Sequence, residues 1–541
     1  MGKGIQIMAN FKSRQSGVLA HITSLHSNYG IGDLGKAAFD FIDWLKDSGQ
    51  ALWQILPIGP TSYGDSPYQS FSTFAGNPLL ICLEKLVDWG LVTQEEITFN
   101  YIFPDNFVDY AVVRELKERV FRLAYAKFAA GYDGNLTKKY RAFAHDNGAW
   151  LADYALFVAL KAHLIHERQN DIESSEYIDF ARKNKKNLTK NQINDYFYGA
   201  VWQSWPEDIA ACKPAAILAW QARLADEIEY HSFLQFIFFK QFAELKLYAA
   251  KNDIKIIGDM PIFVAFDSAD CWGNKDLFQM DADGTPYAVA GVPPDYFSED
   301  GQLWGNPLYN WEMHKKSGYT WWLSRIAKAM ECCDYLRIDH FRGFESYWAV
   351  PYAAKTAKKG KWVTGPGRDF FDAIKKRLGD IPIITEDLGI ITPAVENLRD
   401  ELGLPGMKVL QFGFDNTAGN THLPHNYTTS NIVAYTGTHD NDTTAGWYAA
   451  AGEDDRDQFR RYFNVDGANA PWDLIRAAFM SSANMAITPI QDVLSLDSYY
   501  RMNTPGTLGG NWRFRLRANS MQDAAHGEAL RYLSKLSDRN L

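Results

Sequence analysis

Several short apolar runs in the sequence close on acidic residues. Asp259 ends IKIIGDMPIF (Ile254 to Phe263), Asp339 ends CDYLRIDHF (Cys333 to Phe341), Glu386 and Asp387 end IPIITEDLG (Ile381 to Gly389), and Asp440 ends NIVAYTGTHD (Asn431 to Asp440). One such carboxylate is an ordinary helix cap or salt bridge. Several at one mouth raise one another's pKa, which destabilises the fold unless a reaction uses them. A hard cation would need converging carboxylates and carbonyls, yet the same run ends carry Arg337, His340, Arg342 and His439. Cations among the acids point to carboxylate-pair chemistry with no metal and no cofactor. Arg337 and Asp339 lie two apart on an extended run and face the same side, so the guanidinium can hold Asp339 ionised as a nucleophile. Glu386 follows Ile381, Ile383 and Ile384 and adjoins Asp387, so burial and like charge should keep it protonated as a general acid. Asp440 is left to bind sugar hydroxyls as the ring distorts. This is the division of labour of a retaining glycosidase.

Groups at run ends need elements that bring the ends together. Eight runs have the length and β-branched content of buried parallel strands. The other four are Gly17 to Leu25, Ala51 to Gly59, Met407 to Phe414 and Met485 to Leu494. Helical patterns at Ala37 to Ser48, Tyr319 to Met330, Asp369 to Leu378 and Pro393 to Leu402 separate them. The alternation predicts an α/β fold, a (β/α)8 TIM barrel, with a doubly wound sheet as the other arrangement it allows. The spacing breaks between the second and third runs. Amphipathic patterns there (Phe107 to Ala130, Ala149 to Ile165, Ile228 to Ala250) predict a large, mainly helical insertion over about residues 79–250 of a single catalytic unit spanning 1–541. Lys183 to Lys190 is expected to be a solvated loop.

Composition narrows the partner. A net charge of −10 argues against nucleic acid, which is bound through Lys and Arg. Aromatic residues make up 14% of the chain, with 17 Trp and 28 Tyr, and flat rings of this kind stack on sugars. Five cysteines without CxxC spacing suggest neither a disulfide framework nor a zinc site, and suit the cytoplasm. Met1 to Arg14 lacks an apolar core and no run of about 18 apolar residues occurs, so no signal peptide and no membrane association are expected.

The motifs RIDHFRG (Arg337 to Gly343), TEDLG (Thr385 to Gly389) and GTHDN (Gly437 to Asn441) resemble, in order, the nucleophile, acid/base and stabiliser regions of the α-amylase superfamily. SYGDSPYQSFSTFAGNP (Ser62 to Pro78), GDMPIFV (Gly258 to Val264), GVPPDYFSEDGQLWGNPLYNW (Gly291 to Trp311), LPGMKVLQFGFD (Leu404 to Asp415) and RMNTPGT (Arg501 to Thr507) resemble the amylomaltases, the disproportionating 4-α-glucanotransferases. The resemblance implies transfer of α-1,4-glucan segments between malto-oligosaccharides, with glucose as an acceptor. Asp339 would be nucleophile, Glu386 acid/base and Asp440 transition-state stabiliser. Arg337, His340 and His439 would line the donor subsites, with Tyr63 and Tyr68 against the glucan. Residues 291–311 would form an active-site loop presenting Asp295, Tyr296, Phe297, Trp304 and Asn306. After Asp259 the chain reads Met-Pro-Ile, unlike most α-amylases, which removes a calcium-associated position. A retaining α-glucan hydrolase would use the same carboxylates. His21 and His145 are expected to be structural, Phe233, Phe236 and Ile237 core, and Trp202 and Trp205 packing residues of the insert.

Overall fold

The computed structural model describes residues 14–168, 174–294, 298–507 and 509–539. Its strands are β1 (Gln15–Leu19), β2 (Leu52–Gln54), β3 (Lys255–Met260), β4 (Ala288–Val292), β5 (Gln302–Pro307), β6 (Tyr335–Ile338), β7 (Ser346–Pro351), β8 (Lys361–Thr364), β9 (Ile383–Thr385), β10 (Gly406–Val409), β11 (Ile432–Tyr435) and β12 (Met485–Pro489). Eight of these, one inside or overlapping each predicted run, form a parallel sheet in the order β10-β11-β12-β1-β2-β3-β6-β9. The remaining seam, between β9 and β10, is joined by the Thr385 N–H donating to the Pro405 carbonyl at 3.0 Å. The result is the (β/α)8 barrel and not a doubly wound sheet.

Alternation along each strand sorts side chains into two populations. Leu19, Leu52, Ile257, Ile384, Met407, Val409, Val433, Tyr435, Met485 and Ile487 fill the barrel interior. Val18, Trp53, Ile256, Leu336, Ile383, Ala434 and Ala486 pack outward into the larger core. The inward set continues into the mouth: Asp259 follows Ile257 by two, Glu386 follows Ile384 by two, and Asp339 follows Arg337 by two. The rule that packs the interior therefore aims the carboxylates at the axis.

Between β2 and β3 the chain forms helices that include Tyr110–Ala129, Gly134–Asp146, Gly148–Arg168, Ser175–Asn184, Lys190–Tyr198, Pro214–Arg223 and Ala225–Lys251. Lys183 to Lys190 is not wholly loop, because the first of its residues close one helix and Thr189 caps the next by a reciprocal box with Gln192. Ala225–Lys251 carries the aromatic stripe inward, with Phe233, Phe236 and Ile237 buried. Two buried glutamines on this helix clamp the backbone that follows β2. Gln235 accepts the Gly76 N–H at 2.7 Å and donates to its carbonyl at 2.9 Å, and Gln241 does the same for Cys82 at 2.8 and 3.1 Å. Such amide pairs satisfy loop groups that would otherwise be buried unpaired. They fix the strap that carries Tyr68 over the mouth. Among the described residues one helix, Gly148–Arg168, is long and apolar enough to cross a membrane by length and composition. Here it packs in the insert, with Phe157 against Trp205 at 5.3 Å and Trp202 and Trp205 both buried.

A second sheet, antiparallel and ordered β5-β4-β7-β8, stands beside the mouth. It had no counterpart in the sequence reading, because its strands are interrupted by Gly291, Gly305 and Pro307 and come from two separate stretches.

Candidate active site

Strand pairing sets Asp259 of β3 directly opposite Arg337 of β6. Arg337 Nη1 meets both oxygens of Asp259 at 2.7 Å, and Nη2 reaches Asp339 Oδ1 at 3.1 Å. The guanidinium and Asp259 are buried, whereas Asp339 is 29% exposed to the mouth. Arg337 is thus a buried bridge between one enclosed carboxylate and one facing the cleft, a geometry that suits a planar fork and not an ammonium. The Tyr68 hydroxyl donates to Asp259 Oδ2 at 2.8 Å. Burial, then Asp259, raises the Tyr68 phenol well above its ordinary value, so it stays a donor.

Glu386, just past β9, is held through its own backbone and its carboxylate. Its N–H donates to Ile338 O at 3.0 Å and its carbonyl accepts the Phe341 N–H at 3.0 Å. Its side chain accepts the His340 N–H at 2.7 Å on Oε2 and the Leu388 N–H at 2.8 Å on Oε1. His340 reaches this position with φ 53°, a left-handed conformation uncommon outside glycine and typical of strained functional turns.

The electrostatics differ from the expectation that Arg337 alone keeps Asp339 ionised and that Glu386 is the raised group. Burial raises both carboxyls. Asp339 goes well above its usual range because Glu386, Asp259 and Asp440 add to desolvation, with Arg337 opposing; Glu386 is raised by burial against Arg337 and the two N–H donors. Acids coupled in this way titrate as a unit. Arg337 Nη2 on Asp339 favours the charge there, while the His340 and Leu388 N–H groups favour it on Glu386. Asp387 turns away from the pair. It is buried, bonded to Arg399, and accepts the Met407 N–H at 2.7 Å. A Cβ on Gly406 would stand 2.4 Å from its Oδ2, so this contact requires glycine.

Asp440, in the turn after β11, is nearly half exposed. Asn503 Nδ2 donates to its Oδ1 at 2.6 Å, and Arg501 Nη2 donates to its carbonyl at 2.6 Å. The preceding His439 is buried, with its ring stacked on Tyr68 at 5.0 Å and 19°, and Trp512 packs against both at 5.6 and 5.9 Å. Burial, then the Arg337 charge, lowers the His439 pKa against the pull of Asp440. His340 falls to about 3, through burial and then Arg342. Both shifts favour the neutral ring. His21 accepts the Leu56 N–H at 3.2 Å and is also driven to about 3 by burial, the structural role expected of it. His145 is exposed beside Asp146.

On the second sheet, Trp304 of β5 sets its ring edge-on to His340 at 4.8 Å. Asn306 is buried and donates to the Val264 carbonyl at 2.8 Å, with Gln69 Nε2 3.5 Å from its Oδ1, so its side chain ties the sheet to the loop after β3. Asp295, Tyr296 and Phe297 lie outside the described residues. Tyr63 opens a single turn, Tyr63–Asp65. The structure thus gathers Asp259, Arg337, Asp339, His340, Glu386, His439, Asp440, Tyr68 and Trp304 around one mouth. Sequence reasoning missed Trp512, Arg501 and Asn503. Arg501 and Asn503 stand in the quoted RMNTPGT motif but carried no assigned role, and Trp512 follows it closely. Among the described residues, the acidic and thiol groups near enough together to hold a cation, Asp33, Cys82 and Glu84, form a separate cluster, and Lys117 Nζ stands 4.0 Å from Asp33 there.

A parallel barrel whose C-terminal mouth joins an arginine-bridged carboxylate set to stacked aromatic rings defines a barrel enzyme of carbohydrate chemistry. The family model described as 4-alpha-glucanotransferase matches residues 20–521. A 4-alpha-glucanotransferase of Synechocystis is 45% identical over 98% of both chains, and one of Thermus thermophilus is 43% identical over 97% of this chain and 99% of its own. The solved amylomaltase of Streptococcus agalactiae in complex with acarbose superposes with a TM-score of 0.88 at 37% identity, covering 98% of this chain and 100% of that one. The chain belongs to the 4-alpha-glucanotransferase family, the amylomaltases.

Proposed function

We propose that this enzyme moves α-1,4-glucan segments between malto-oligosaccharides, with glucose among its acceptors, by double displacement at Asp339. The Asp339 carboxylate attacks the donor's anomeric carbon while Glu386 gives its proton to the departing glycosidic oxygen. The bond to that oxygen breaks and a β-linked glycosyl ester forms. An acceptor's 4-hydroxyl then loses its proton to Glu386, attacks the same carbon and expels Asp339, so two inversions retain the α configuration. Asp440 binds ring hydroxyls as the oxocarbenium-like state develops. The observation that carries this reading is the Asp259–Arg337–Asp339 bridge beside Glu386 in a chain of this family. Arg337 acts on the charge of Asp339 from behind, being buried, while His340, His439, Tyr68 and Trp304 line the sugar path and Asn306 braces it.

The stretch 291–311, whose sequence includes Asp295, Tyr296 and Phe297, is in this reading the shield that lets a sugar and not water reach the ester. Residues 1–541 act as one catalytic unit carrying the insert at about 79–250. Five unpaired cysteines support a cytoplasmic setting. Incubation with maltotriose tests the reading. Transfer yields glucose and a ladder of longer oligomers at constant total reducing ends; a steady rise in reducing ends would instead identify a hydrolase.

A further inference from the structure

Asp440 has no strand to hold it. It sits in a turn beyond β11, nearly half exposed; its N–H donates to the Thr438 hydroxyl at 3.3 Å and His439 Nε2 stands 3.4 Å from its Oδ1, but its shortest side-chain contact comes from a segment more than sixty residues away. Arg501 bridges the two backbones, Nη2 donating to the Asp440 carbonyl at 2.6 Å and Nε to the Asn503 carbonyl at 2.7 Å. The Asn503 N–H donates to the His439 carbonyl at 3.1 Å. With both main chains pinned, the Asn503 amide is delivered to Asp440 Oδ1 at 2.6 Å. Among the described residues no hydrogen bond reaches Asp440 Oδ2. We propose that Asn503 is a positioning residue for Asp440, fixing Oδ1 so that Oδ2 meets the sugar as charge develops on the ring; the proposal rests on the reading of Asp440 as stabiliser given above.

A hydrogen bond to a carboxylate acts here on orientation, and its loss should fall on the transition state more than on ground-state binding. An amide serves better than a cation at this point. It donates without neutralising the negative charge that the oxocarbenium-like state requires, in surroundings that already hold His439, Arg337, Asp339 and Tyr68.

The test is a double-mutant cycle on initial transfer rates, from maltotriose or, where those are too slow, from α-maltosyl fluoride. Asn503→Ala and the similarly sized Asn503→Leu should each lower kcat by roughly 10- to 100-fold with KM little changed. In an Asp440→Ala background, which has no side-chain acceptor for the Asn503 amide, the same changes should add almost nothing, because the interaction they remove is already gone. Full additivity in the double variants, or a loss confined to KM, overturns the positioning role. Should Asp440→Ala alone leave kcat intact, the reading of Asp440 as stabiliser fails, separately and first.

Discussion

Replacing Arg337 by Met keeps the bulk of the side chain and removes its charge, and the consequence can be worked from one distance. Unit charges 3.1 Å apart attract by about 5 kcal/mol at an effective dielectric constant of about 20. Asp339 is 29% exposed, so screening about twice as strong leaves about 2.5 kcal/mol, or ~2 pH units at ~1.36 kcal/mol per unit. Arg337 lowers both carboxyls of the pair, so its removal raises both. The nucleophile must be ionised to attack. The acid limb of the kcat/KM profile should therefore move to higher pH by ~2 units, with activity at neutral pH reduced and partly regained by added base. Arg337→Lys, which keeps a charge but loses the fork, should move the limb less. Since Arg337→Met also strands buried Asp259, stability should drop by about 3–5 kcal/mol. The double variant Arg337→Met/Asp259→Asn restores that loss and should still show the displaced limb. A pH profile unmoved in both variants refutes the claim that Arg337 sets the charge of Asp339.

Three further outcomes follow from the same geometry. Asp339→Asn should abolish turnover of maltotriose yet raise the thermal midpoint. The folded pKa of Asp339 lies above the unfolded value, so wild-type stability is full below the unfolded pKa and declines as pH rises toward the folded one; the variant's advantage, measured by thermal melts across pH, should grow upward from about pH 4. A constant or negative difference contradicts the raised pKa, and near-normal turnover sinks the nucleophile assignment. Glu386→Gln should lose about 100- to 10,000-fold on maltotriose while still forming the glycosyl enzyme from α-maltosyl fluoride, whose leaving group needs no proton; equal losses on both donors would remove Glu386 from the acid's role. Trp304→Ala removes the ring set against His340, and the ratio of reducing ends to transfer products should rise roughly 2- to 10-fold, the equivalent of ~0.5–1.5 kcal/mol. An unchanged ratio would leave water exclusion to other residues.

The barrel was legible because burial on both faces forces each strand into a continuous apolar run, and Asp259, Asp339 and Glu386 because each closes such a run with the parity of the interior, whereas Asp440 lies in the turn beyond β11. The runs read from the sequence are longer than all eight barrel strands. Gly17 to Leu25 stops being strand at Leu19 and Asn431 to Asp440 at Tyr435, since the last residues of a run are the loop that bears the site. What was illegible depends on pairing across large separations. Asp259 was seen as a run end, yet its bidentate bond to Arg337 comes from strand register, which no local pattern encodes. Trp512 reaches the Tyr68 and His439 rings from an irregular segment, and Asn503 reaches Asp440 from the same one, so neither periodicity nor spacing to the other site residues marks them.

These long-range contacts also explain why Asp339 departs from the sequence expectation. A guanidinium two residues away suggested a carboxyl held low, but a pKa is the balance of every charge and of solvent loss, and here desolvation with Glu386, Asp259 and Asp440 outweighs Arg337. Both carboxyls of the pair are thus shifted toward the protonated form. In the proposed mechanism, a proton retained by the pair is the one that Glu386 would deliver to the leaving oxygen. In the proposed double displacement, raising the pair together would keep the acid and the base in a single unit, with Arg337, hydrogen-bonded to Asp339, biasing the charge toward it as the bond breaks.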